Sequence, residues 1–224
     1  TYCCIIIAGE YRIKSDALSI SFNRGTIAFL EPVMGRVIGA VFLGSGEVVA
    51  IPPDPIEKQQ LYKFTGSPLL NERFSAAVLR FTDDTYEEIM KERAQRAEED
   101  VSIEDSAQVL SWDQTLSNYS GVMNYRILSD FIAPTGRPLF FAELSGEKAG
   151  PFEVVFDPRS VEEVAVFKIH ETTASPVADL WASFNQRSEA RNPEAVAHEE
   201  KAVVDILAYD VDASVSMANE LDAR

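Results

Sequence analysis

The chain has 224 residues, 46% apolar and 25% charged, enough to bury a sizeable core in one large domain or in one domain plus part of another. Twenty Lys and Arg against 36 Asp and Glu leave a net charge of −16, a field that repels phosphate backbones and anionic lipid, so nucleic acid is excluded as an expected partner. No run approaches the roughly 20 apolar residues that a membrane-spanning helix requires, so no membrane span is expected.

The chain opens Thr-Tyr-Cys-Cys-Ile-Ile-Ile, and its only cysteines, Cys3 and Cys4, are adjacent, where they can neither staple distant segments nor form a spaced metal site. The absence of an initial methionine leads us to expect a processed or excised piece whose targeting signal lay upstream, with residues 1–10 a disordered or processed terminus. From Tyr11 to Phe22, Leu18, Ile20 and Phe22 alternate with Ser19 and Ser21, the period of a half-buried strand, and Gly25 is expected to turn the chain into the next run.

Thr26 to Pro53 contains three short apolar runs punctuated by Gly35, Gly39, Gly44 and Gly46, which read as an antiparallel meander, with Pro32 stopping one strand near Leu30. Gly44-Ser45-Gly46 lies between two strand-like runs with no helix behind it, so a hairpin turn is preferred to a phosphate-cradling loop. A helical turn (Pro55 to Gly66) and a strand (Ala76 to Phe81) follow. Thr82-Asp83-Asp84-Thr85 then offers helix caps, and Tyr86, Ile89, Met90 and Ala94 recur at helical spacing. A second helix is expected from about Glu104 to Ile132, because Val109, Trp112, Leu116, Tyr119, Met123, Ile127 and Phe131 make one apolar stripe that needs covering. Gly121 weakens its middle by about 1 kcal/mol relative to alanine, which allows a break there.

Strands return over Arg137 to Gly146, Pro151 to Pro158 and Val161 to His170 as a second meander. Residues 186–200 are polar, charged and interrupted by Pro193, the composition of a linker. From Leu207 to Met217 apolar and polar residues alternate, and we expect residues 201–224 to supply the first strands of a following, truncated β-domain. The expected fold is thus α+β and β-rich: antiparallel meanders forming packed sheets, a helical insert near 84–132, and a main domain over 11–185.

Chemistry is sparse. His198 begins His-Glu-Glu-Lys-Ala, but Ala202 stands where a zincin helix has its second ligand, and His170 reads as a satisfied strand-end residue. There is no G-x-S-x-G elbow. Glu87-Glu88, Glu98-Glu99-Asp100 and Glu162-Glu163 read as solvated faces rather than glycosidase-type acid pairs, and Asp210 and Asp212 as an exposed strand face rather than a calcium site. Tyr62, Phe64, Trp112 and Trp181 could line a ligand groove, although aromatics at these periods are normally core. No residue is assigned as catalytic, cofactor-binding or metal-binding, and no cofactor is expected in this chain.

Three motifs nonetheless have a likeness. The run P-V-x-G-x-V-x-G-A-V-F-x-G-x-G (Pro32 to Gly46, after Phe29), then P-P-x-x-x-E-K-x-x-L-x-x-F-T (Pro52 to Thr65), then L-R-F-T-D-D-T (Leu79 to Thr85) resembles the N-terminal non-catalytic region of bacterial M1-type zinc metallopeptidases. The likeness covers about three quarters of the chain, extending more loosely through FFAELSGEKAGPFEVVFDP. It implies an exported, extracytoplasmic accessory domain that positions or shields a peptidase domain beyond Arg224. That domain would hold the zinc and receive the peptide substrate. Gly121-Val122-Met123-Asn124-Tyr125 begins like the family's G-x-M-E-N segment, but Asn124 replaces its glutamate, so no catalytic residue is carried over. The alternatives are a freestanding envelope module binding carbohydrate or peptide, and an acid-pair hydrolase.

Overall fold

The structure, a computed structural model, describes residues 2–8, 10–96, 106–132, 138–170, 177–188, 213–215 and 221–223. Nine strands form one antiparallel sheet: β1 (Tyr2–Ala8), β2 (Tyr11–Ser15), β3 (Leu18–Leu30), β4 (Gly39–Ala50), β5 (Leu70–Phe81), β6 (Phe140–Gly146), β7 (Gly150–Phe156), β8 (Val164–His170) and β9 (Val177–Phe184). The spatial order is β1-β3-β4-β5-β6-β7-β8-β9, with β2 also on β3. Helix α1 (Pro55–Thr65) joins β4 to β5, and α2 (Thr85–Arg96), α3 (Ser106–Ser117) and α4 (Asn124–Ile132) lie between β5 and β6. A separate pair, β10 (Ala213–Val215) and β11 (Leu221–Ala223), is antiparallel.

Several expectations are corrected. The meanders do not build separate packed sheets, because β5 pairs with β6 and merges them into one. The N-terminal stretch expected as a disordered or processed end contains β1, paired with β3 from Tyr2 to Ala8. Gly25 turns nothing: β3 runs through it for 13 residues, and Gly44-Ser45-Gly46 lies inside β4 rather than in a hairpin turn. The single helix expected from Glu104 to Ile132 is two, parted at Gly121, which takes a left-handed φ of 71°. Most of the linker, and all of 201–224 but β10 and β11, lie outside the described residues.

Curvature comes from a row of irregularities across neighbouring strands. Phe22, Gly46, Phe74 and Gly146 are successive cross-strand partners on β3, β4, β5 and β6. Register shifts sit beside this row on each pair, between Phe22 and Arg24, between Leu43 and Gly46, and between Phe74 and Ala76. A bulge bends its strand and adds twist, so bulges in line make the sheet coil. On two of the strands the inward set also flips: on β3 it passes from Leu18, Ile20 and Phe22 to Ile27 and Phe29, on β5 from Leu70 and Phe74 to Ala77, Leu79 and Phe81. A Cβ on Gly46 would lie 2.2 Å from the Phe74 ring, and one on Gly44 2.0 Å from the Arg24 carbonyl oxygen.

The sheet curls until the turn after β9 meets the β2–β3 hairpin. Gln186 Oε1 accepts from the Ala17 N–H at 3.0 Å, while Asp16 accepts from the Arg187 and Ser188 amides and the Ser188 hydroxyl. Burial alone would raise the Asp16 carboxyl, but those Ser188 and Arg187 donors hold it below the usual range. The concave face encloses the main core, from Tyr11 and Ile13 on β2 to Trp181 and Phe184 on β9. At one end α2 closes it, with Ile89 buried and Tyr86 edge-on to Phe29 at 5.0 Å.

The apolar stripe predicted over 109–131 finds its cover on the convex face, in two parts. Val109, Trp112 and Leu116 of α3 pack with Tyr2, Ala28 and Val41; Ile127 and Phe131 of α4, with Tyr119 and Met123 before it, pack with Phe141, Val155 and Phe167. Arg126 anchors α4 to the β7–β8 turn by a two-pronged pair with Asp157, 2.9 Å on each prong, and pairs with Asp130, which accepts from Thr82 Oγ1. Among the described residues no helix is long and apolar enough to cross a membrane.

We expect Gly46→Ala to cost about 2–3 kcal/mol in urea unfolding, because the Phe74 ring must leave its seat. Gly35→Ala is the control: its Cβ meets nothing within 4 Å, and the left-handed φ of 80° should cost only about 1 kcal/mol. Equal stability of the two variants would remove the steric account of the row.

Candidate functional site

At the end opposite α2 the curled sheet stays open, because β5 outruns β6. Ladder pairing with β6 starts at Phe74, so Leu70 to Arg73 extend past the β6–β7 hairpin. The hairpin is tied to this extension by Glu72, a buried carboxylate whose Oε1 accepts from the Lys148 and Ala149 amides, and by the Glu147 N–H donating to the Arg73 carbonyl.

Helix α1 forms the second wall. Asp54 caps it by accepting from the Ile56 N–H, Pro55 opens it, and Gly66 ends it in the left-handed region. It crosses to the free edge of β9, where Glu57 accepts from the Ser183 N–H at 3.0 Å and Gln60 donates to the Leu180 carbonyl at 3.4 Å. Those bonds occupy backbone groups that an edge strand otherwise presents to other chains.

Between these walls and the ends of β8 and β9 lies a cup of about 640 Å3. Trp181 is only 6% exposed and stacks on Phe152 with ring centroids 5.6 Å apart, and Phe64 at the end of α1 lines another side. Trp181 owes its inward direction to a bulge: Val166 pairs with Ala182 and Phe167 with Leu180, so Trp181 is the extra residue on β9. Polar groups share the lining: Asn71, Glu72, Lys148, Lys168, and the His170–Asp179 pair at 2.9 Å. The hydroxyls of Thr65 and Ser67 also reach it, but each serves its own turn: Thr65 Oγ1 donates to Leu61 O or Ser67 O, and Ser67 Oγ accepts from the Leu69 N–H.

Of the four aromatics considered as groove residues, Phe64 and Trp181 thus come together, Tyr62 is exposed outside the cup, and Trp112 is buried under α3 on the other face of the sheet. His170 is the last residue of β8, half-exposed at the cup rim and paired with Asp179. His198, Glu98-Glu99-Asp100, Asp210 and Asp212 lie outside the described residues. Among the described residues no three His, Cys, Asp or Glu side chains are grouped as a metal site. Gly121 to Tyr125 is the joint between α3 and α4, where the Asn124 N–H donates to the Gly121 carbonyl at 3.0 Å.

One close acid pair escaped the sequence reading. Glu143 and Glu153 face each other across β6 and β7 on the convex side, away from the cup lining. Glu143 accepts from the Ser120 N–H at 3.1 Å and Glu153 from the Ile169 N–H at 3.2 Å. Burial, then the neighbouring Glu143 carboxylate, pushes the Glu153 carboxyl up to about 7, against the Ile169 bond and the Lys168 charge. Alternation in β6 and β7 puts both acids on one face, but only the register makes them partners.

No family model matches the chain, and neither does any curated protein or solved structure.

Because the Glu153 carboxyl titrates higher folded than unfolded, the folded state binds the extra proton, and stability falls as pH rises from about 4.5 to about 7 before levelling off. Each pH unit in that window is worth up to about 1.4 kcal/mol. In urea titrations the parent is expected to lose about 2 kcal/mol more than Glu153→Gln between pH 5 and pH 8. Parallel pH profiles for the two proteins would refute it.

Proposed function

We propose that this domain is a binding module whose site is the cup at the open end of the curled sheet. The observation that carries the reading is the cup itself: a concavity of about 640 Å3 in the size range of small-molecule sites, with rings at Phe64 and Trp181 and a few polar groups converging on it. Its hydroxyls are spent in local turns and its imidazole faces Asp179, an arrangement suited to holding a ligand rather than to attacking one.

The metallopeptidase-accessory role is compatible with this reading and rests on the motif residues. Several of those residues have structural work in this fold: Gly44 and Gly46 permit close backbone approach, Leu61 is the buried residue of α1, Glu57 caps β9, and Asp83 accepts from the Thr85 N–H at 3.0 Å. The likeness therefore argues for a shared scaffold, and the accessory role, the zinc in a downstream domain and the extracytoplasmic setting follow from it as proposals. Within the same reading α2–α4 are an insert, since β5 and β6 are sheet neighbours that a short hairpin could join, and β10–β11 open a second β-unit. An H-E-x-x-H segment encoded downstream of Arg224 is the expected finding for this role, and a stop codon directly after it would refute it.

The cup is testable by the two tryptophans, which give two indole N–H signals in NMR. Trp181 reports on the cup and Trp112 serves as the internal control; Trp112→Phe assigns them. Hexanol, hexanamide, hexanoate and hexylamine are titrated separately. At least one is expected to move the Trp181 signal saturably and leave Trp112 in place, with the response lost in Asn71→Phe, which fills the mouth. If none moves it, the binding reading fails.

A further inference from the structure

In a chain with 16 more acids than bases, buried and half-buried cations have carboxylates to choose from, and several take one. Lys14 pairs with Asp83, Arg126 with Asp130 and Asp157, and Arg159 with Asp130. Lys168 does not. It is half-buried in the cup wall, its ammonium donates to the Ala149 carbonyl at 2.9 Å, and no described carboxylate pairs with it. An ammonium has three donors, and one is spent.

The acids of the cup are already engaged. Glu72 receives the two amides of the β6–β7 turn, and Asp179 faces His170. Glu153 feels the Lys168 charge, but it stands on the convex side of β7, bonded to the Ile169 amide. Lys148 adds a second positive charge at the rim, again without a described carboxylate partner. Formally the lining is balanced, Lys148 and Lys168 against Glu72 and Asp179 with histidine counted neutral, but the two acids are already engaged, so the donors left unspent are those of the lysines, beside apolar surface at Phe64, Leu69 and Trp181.

Resting on the cup as a binding site, we infer that its ligand is a small carboxylate with a short apolar tail, the acid group meeting Lys168 and Lys148 and the tail lying toward Trp181. The overall charge of −16 opposes such a ligand at long range, so the site must win by local contact. Screening over a Debye length of about 8–10 Å at physiological salt removes most of that long-range penalty.

The probe series above decides it. Hexanoate is expected to bind about tenfold or more tightly than hexanamide, read at the Trp181 indole signal. Both Lys168→Gln and Lys148→Ala should bring hexanoate down toward the amide while leaving hexanol unchanged. The second variant lies at an exposed position, so a loosened β6–β7 turn in the first cannot account for both. An N-acetylated apolar tripeptide with a free C-terminus, against its amide, tells whether the carboxylate of a peptide end is accepted as well as that of a free acid. Equal binding of hexanoate and hexanamide, untouched by either lysine variant, overturns the inference while the cup stands as a site. Silence from every probe overturns both.

Discussion

The rings of Phe22, Phe42 and Phe74 gather around Gly46, where β4 presents no side chain. Their centroids lie 4.9 to 6.0 Å apart in tilted and edge-on arrangements, the geometry that aromatic quadrupoles favour. Gly46 is the strand position between Phe22 and Phe74, so the rings fold over bare backbone. Beside it, Gly25 and Gly44 pair directly across β3 and β4, and a Cβ on either would strike the other's strand. Close approach on this row, with bulges beside it, converts an open meander into a curled sheet with an inside. Because β5 outruns β6 beyond the same row, the curl ends in a mouth rather than in a packed edge.

The acidic composition has a role in this fold that a surface reading of the charge does not suggest. Among the described residues, carboxylates accept backbone N–H groups at turns, helix starts and strand edges, as Asp16, Asp54, Glu57, Glu72, Asp83, Glu143, Glu153 and Asp157 do. A charged acceptor on an amide gives a stronger bond than a neutral one, and a strongly curled sheet leaves many amides without a ladder partner. Asp16 closes the seam, Glu57 covers the β9 edge, and Glu72 fixes the hairpin that walls the cup. Part of the −16 charge is thus the chemistry that holds the curl together.

Local periodicity was a good guide wherever one element settles its own form. Leu18, Ile20 and Phe22 announced the first half of β3, Asp83 and Thr85 the start of α2, and the stripe from Val109 to Phe131 named the side chains that pack on the convex face. It failed where a glycine serves two strands at once. Gly25, Gly44 and Gly46 look like turn residues in one dimension, because left-handed freedom and room for a neighbouring backbone call for the same amino acid. Register alone separates the two uses, and register belongs to the pairing of strands, not to either strand. The same blindness hid Glu143 and Glu153, which are ten positions apart in the chain and opposite each other in the sheet.

The cup was the least legible part, for a reason visible in Trp181. Val177–Phe184 reads VADLWASF, with no clean alternation to mark a strand, because the bulge shifts the inward set midway. Without that extra residue, Ala182 and Leu180 would continue one face and Trp181 would stand on the other. With it, Trp181 and Asp179 turn to the same side as Lys168 and His170 on β8. The irregularity that made β9 hard to read is therefore what assembles the site.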